Sequence, residues 1–177
     1  THVAAFINQK HRCGHSTSGA LRQLPDNKEL MCNAFQDAET ADSFFQWCIT
    51  HGIGIAIATF GFRAYVDTLV ASMEQTCPSL QHAWVRTLEN EPLVLTPANY
   101  NVKEGSNGLR DKCRMLQTIA QTADVPLHCV LLVDDGVENI TRAAQQGSGA
   151  MLITHKNGMM ASDWSRLCSE IALRLTA

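Results

Sequence analysis

Val130-Leu131-Leu132-Val133-Asp134-Asp135-Gly136-Val137-Glu138-Asn139 joins an apolar run, an acidic turn and the start of a helix. Four consecutive apolar residues have no polar face to offer water. A strand covered on both faces reads this way, and such strands belong to parallel sheets. The run stops at two carboxylates and a glycine. Glu138 to Gln146 then follows as a helix, with Gly147 as its stop. Outward from this unit the same grammar repeats. Ile53 to Thr59 is almost continuously apolar, and Val3 to Phe6 and Ala150 to Ile153 are shorter buried strands. Helices separate them: Asp37 to about His51, stopped by Gly52, then Arg63 to Met73, Arg110 to Ala123, and Asp163 to Leu175 with Ser162 as its cap. Strands alternating with helices imply an α/β fold with a central parallel sheet flanked by helices.

The middle is less regular. Ala83 to Leu95 reads as one or two strands broken at Asn90-Glu91-Pro92, and Asn101 to Leu109 as a loop. Asn8 to Asn27 is polar and rich in Gly, Ser and His, which reads as a loop or a small cap beside the core. The 177 residues suit one domain spanning the whole chain.

Composition narrows the function classes. Hydrophobic residues are 45% and charged residues 18%, which excludes a wholly disordered chain. A net charge of -3 argues against a general nucleic-acid or membrane-surface binder. No apolar run reaches the roughly 18 residues of a membrane span. Thr1 to Lys10 lacks the pattern of a secretory signal, and a start at Thr1 rather than Met reads as a processed or excerpted chain. The seven cysteines are scattered with no Cys-x-x-Cys pair, so the expectation is free thiols in an intracellular, reducing compartment.

In α/β folds ligands bind beyond the carboxyl ends of the strands. Three such ends, taken together, resemble the haloacid dehalogenase (HAD) superfamily. Ile55-Ala56-Ile57-Ala58-Thr59-Phe60-Gly61 ends a strand on a hydroxyl. Gly108-Leu109-Arg110-Asp111-Lys112 puts a lysine at a helix start. The Asp134-Asp135-Gly136-Val137-Glu138-Asn139 segment supplies paired carboxylates. The resemblance runs from about Val3 to Ile153 and implies a Rossmann-like HAD fold with no large cap domain, since neither of the family's usual insertion points holds enough residues here. It also implies roles: Thr59 and Phe60, with nearby backbone N–H groups, and Lys112 would hold a phosphate, with Lys112 supplying charge. Asp134 would ligate Mg²⁺, and Asp135 would assist it.

The family's first motif, Asp-x-Asp-x-Thr after the first strand, is degenerate here. Aligned on Phe6, Ile7 stands at the nucleophile position, Gln9 at the general acid/base position and His11 at the Thr position. No Asp or Glu precedes Asp26, so no small shift of register restores the motif. An aspartyl-phosphate needs a carboxylate nucleophile, and Ile7 has none. Gln9 keeps hydrogen-bonding capacity but shuttles no proton near neutral pH. Magnesium loses a ligand as well, so the expectation is no cofactor or a weakly bound Mg²⁺.

The expected function is therefore that of a catalytically impaired HAD-like domain, a pseudophosphatase that works by binding. It would serve as a subunit or scaffold with a protein partner, or as a sensor of a phosphate-bearing ligand. The alternative is an active Mg²⁺-dependent phosphatase or phosphotransferase with an atypical first motif. A third reading is an interaction domain with no ligand at the old site. His11, Cys13 and His15 are close enough to suggest zinc but lack a fourth ligand, and Cys13 beside His15 lacks an orienting acid for nucleophilic work. Met159, Met160 and Trp164 read first as core around the last helix and only second as a docking surface.

Overall fold

The computed structural model describes residues 2–7 as backbone, and residues 37–102, 112–155 and 159–175 in full. Among the described residues, five strands form one parallel sheet: β1 (His2–Ile7), β2 (Ile53–Ala58), β3 (Val94–Leu95), β4 (Leu131–Asp134) and β5 (Gly149–Leu152), in spatial order β3-β2-β1-β4-β5. The chain steps outward from β1 to β3 and then crosses back to β4 on the other side of β1. The order reverses between β1 and β4, which makes their carboxyl ends the switch point where α/β sheets take ligands.

Strand alternation divides the core into two layers. Ile53, Ile55, Ile57, Leu131 and Val133 face one side, packed with Phe44, Phe45, Leu80, Trp164, Leu167 and Ile171. Ala56, Ala58, Val130 and Leu132 face the other, packed with Met115, Leu116, Ile119 and Ala143. The first layer carries α1 (Ala38–Thr50), α2 (Arg63–Thr76), the short α3 (Leu80–Ala83) and α6 (Ala161–Leu175). The second carries α4 (Cys113–Thr122) and α5 (Val137–Gln145). Both faces of the sheet are thus covered, as the uninterrupted apolar runs require.

Local signals set several helix ends. Asp37 caps α1, its carboxylate accepting from the Thr40 N–H at 3.0 Å and the Thr40 hydroxyl at 2.7 Å. Gly52 and Gly147 follow α1 and α5 at φ +66° and +87°, values that favour glycine. The α2 helix runs three residues past the expected Met73, to Thr76, and stops where Pro78 forces Cys77 out of the helical region.

Two expectations are corrected. Ala83 closes a short helix instead of opening a strand, and only Val94–Leu95 forms a strand in this segment. Trp84 makes a single bridge to Ile55, and Arg86 another to Pro92. The tight turn over 87–90, with Asn90 at φ +65°, folds the segment back on itself, and Pro92 has no N–H for a ladder. Ser162 is not the cap of α6. That helix begins at Ala161, and the Asp163 carboxylate reaches back to accept from the Met160 N–H at 3.0 Å. Met159 and Trp164 are buried in the core as expected, while Met160 is exposed. The segment Asn8 to Asn27, with Gln9, His11, Cys13 and His15, lies outside the described residues.

Candidate functional site

Asp134 is the last residue of β4, and strand alternation sends its side chain to the same face as Leu132, toward α4. Lys112 immediately precedes α4. The two meet: Lys112 Nζ lies 2.6 Å from Asp134 Oδ2, and both side chains are at most 1% exposed. A buried carboxylate needs a counter-charge and hydrogen bonds on its remaining lone pairs. Asp134 has both. Its Oδ1 accepts from the Gly136 N–H at 2.6 Å, and the Asn139 amide Nδ2 lies 3.3 Å from Oδ1 and 3.2 Å from Oδ2.

Lys112 Nζ also sits 5.6 Å from the centroid of the Phe60 ring, within cation–π range. Phe60 and Thr59 follow β2 and are half-buried. Thr59 ties its own turn: its N–H donates to the Leu95 carbonyl at 3.0 Å, and its Oγ1 accepts from the Gly61 N–H at 3.1 Å. Burial holds the Lys112 ammonium below the ordinary lysine value, with the carboxylates of Asp134 and Asp135 opposing that shift. Asp135 itself is exposed.

The structure therefore gathers Phe60, Lys112 and Asp134 at the carboxyl end of the sheet, with Thr59 beside Phe60 in the chain. Ile7 ends β1, and its backbone pairs with Val133, the residue before Asp134. That register brings the end of the first strand to the same edge of the sheet as Asp134. Gln9 lies outside the described residues. Gly136 and Asn139 carry roles that the sequence reading did not assign. A Cβ on Gly136 would stand 3.0 Å from both Asp134 Oδ1 and Asn139 Nδ2, so a side chain there would press on the carboxylate and its amide partner. The signal was present in the spacing: Asn139 falls in the first turn of α5, close enough to reach back across the Gly136 turn.

Magnesium asks for near-octahedral oxygen ligands at about 2.0–2.1 Å. A carboxylate has about four lone-pair positions. On Asp134, Lys112 and the Gly136 N–H each take one, and the Asn139 amide nitrogen spans both oxygens. Among the described residues, no three His, Cys, Asp or Glu side chains converge on one point. The donor set described here does not fit Mg²⁺. What the arrangement does chemically is hold a fixed, hydrogen-bonded ion pair at the switch point of the sheet. Removing one partner of such a pair costs about 3–5 kcal/mol, because the other charge stays buried alone.

No family model matches this chain, and no curated protein matches it. Among solved structures, it is similar to an uncharacterized protein from Corynebacterium glutamicum ATCC 13032 Kitasato, at 13% identity and a TM-score of 0.45. That match covers 96% of this chain and 93% of the other. Among the described residues, no helix is long and apolar enough to cross a membrane.

Proposed function

We propose that this protein is a catalytically impaired HAD-like domain that acts by binding, as a subunit or scaffold within an assembly. The observation that carries this reading is the closed pair of Lys112 and Asp134 beside the end of β1, whose last residue, Ile7, is the one the resemblance aligns with the nucleophile. The strand order supports the frame: β1 lies between β2 and β4, so the ends carrying Ile7, Thr59 and Asp134 share one edge. Chemistry supports the loss of catalysis. A covalent phosphoryl intermediate needs a carboxylate on β1, and each tenfold of rate lost with it is about 1.4 kcal/mol of barrier.

The test is hydrolysis of an aryl phosphate with Mg²⁺, comparing the parent with an Ile7→Asp/Gln9→Asp variant. The expected result is a silent parent. Turnover by the variant then supports both the register and the lost catalyst. Turnover by the parent overturns the impaired-enzyme reading and sends the search for a nucleophile elsewhere in the cleft.

A further inference from the structure

A divalent ion at the end of β4 would need lone pairs on Asp134, and the Lys112 ammonium, the Gly136 N–H and the Asn139 amide already face both of its oxygens. We infer that Lys112 is the resident cation of this site: its ammonium takes the position that a metal would need, which makes the fold independent of divalent ions and leaves the pair without charge to offer a phosphate. This deepens the proposed function, on which it rests for the meaning of the site, by favouring the scaffold over the sensor of a phosphate-bearing ligand.

Three observations carry it. The contact between Nζ and Oδ2 is 2.6 Å with both side chains out of water, so the pair is not a surface accident. The carboxylate also meets the Gly136 N–H and the Asn139 amide, and a Cβ at Gly136 would stand 3.0 Å from both Asp134 Oδ1 and Asn139 Nδ2. The charge sum is the third point. One ammonium faces one buried carboxylate, and Asp135 adds a further negative charge nearby. Among the described residues the group is thus net negative, which disfavours a phosphate dianion and leaves Lys112 engaged.

The experiment is urea unfolding of the full chain, with and without 10 mM MgCl₂ at matched ionic strength, for the parent, Lys112→Met and Lys112→Met/Asp134→Leu. A site of millimolar affinity would raise the folded-to-unfolded ratio about elevenfold at that concentration. The parent is expected to show no such rise. Lys112→Met is expected to lose a hundredfold or more in that ratio, about the effect of stranding a buried charge. Removing the carboxylate too should restore most of the loss, because an apolar pair can replace a buried ion pair at little cost. An unfolded single variant beside a folded double variant counts as the same result. A saturable Mg²⁺ stabilisation of the parent, or equal losses in the single and double variants, overturns the inference. Metal binding without aryl phosphate turnover defeats this inference and spares the impaired-enzyme reading. Turnover that persists with a chelator does the reverse.

Discussion

A carboxylate at the end of a central strand must be paired or protonated, and the surroundings of Asp134 determine which. Lys112 supplies charge, and Gly136 and Asn139 supply geometry. The two kinds of support should separate in mutants. Asn139→Ala removes contacts of 3.2 and 3.3 Å but leaves the charge paired, so it should cost about 1 kcal/mol in urea unfolding. Gly136→Ala should cost about 1–2 kcal/mol, because its new Cβ meets Asp134 Oδ1 and Asn139 Nδ2 at 3.0 Å and one of them must give way. Both losses should fall below that of Lys112→Met. An Asn139→Ala variant as unstable as Lys112→Met would mean that the amide, not the ammonium, holds the carboxylate.

Elements follow the sequence where their signals are local and depart from it where they are not. The Asp37 cap of α1 is a local device. Its carboxylate is held below the ordinary aspartate value by the hydrogen bonds from the Thr40 hydroxyl and N–H. A depressed value in the folded state gives stability that is present above the unfolded value and lost as pH falls through the folded one. The charge also faces the positive end of the helix. Asp37→Asn keeps an acceptor but cannot titrate. Its melting temperature should lie below the parent's above about pH 5, and the gap should shrink as pH falls toward about 3. A gap independent of pH would mean that the cap works through its hydrogen bonds alone. The strands β2 and β4 were equally legible, since an uninterrupted apolar run has few other homes. The segment from Ala83 to Leu95 was not, because its bridges depend on a turn at Asn90 and on Pro92 refusing a ladder. Lys112 and Asp134 could each be assigned to an edge of the sheet from sequence. The resemblance put them in one site, but their direct ion pair could not be read, because it depends on which face of β4 lies toward α4.

At the scale of the molecule, the sheet is a wall between two cores, and the last helix closes only one of them. Trp164 of α6 packs on Phe44 and Phe45 of α1, with ring centroids 5.0 and 5.9 Å apart. The buried thiol of Cys48 lies in this same layer, with its pKa pushed far up by burial. Cys77, in the same layer, is pushed up to about 12 by burial, so neither thiol offers appreciable thiolate at neutral pH while the layer is closed. Trp164→Ala should cost about 3–5 kcal/mol, as large-to-small changes in a packed aromatic core do. If α6 acts as a closing element, Cys48 in that variant should react with a thiol reagent faster than the change in global stability accounts for, through local release of the helix. Leu116→Ala is the control, since Leu116 packs in the opposite layer under α4. Its Cys48 labelling should rise only in proportion to global unfolding. Labelling that tracks global stability in both variants would show that the two layers open together, and that α6 is an integral part of a single cooperative core.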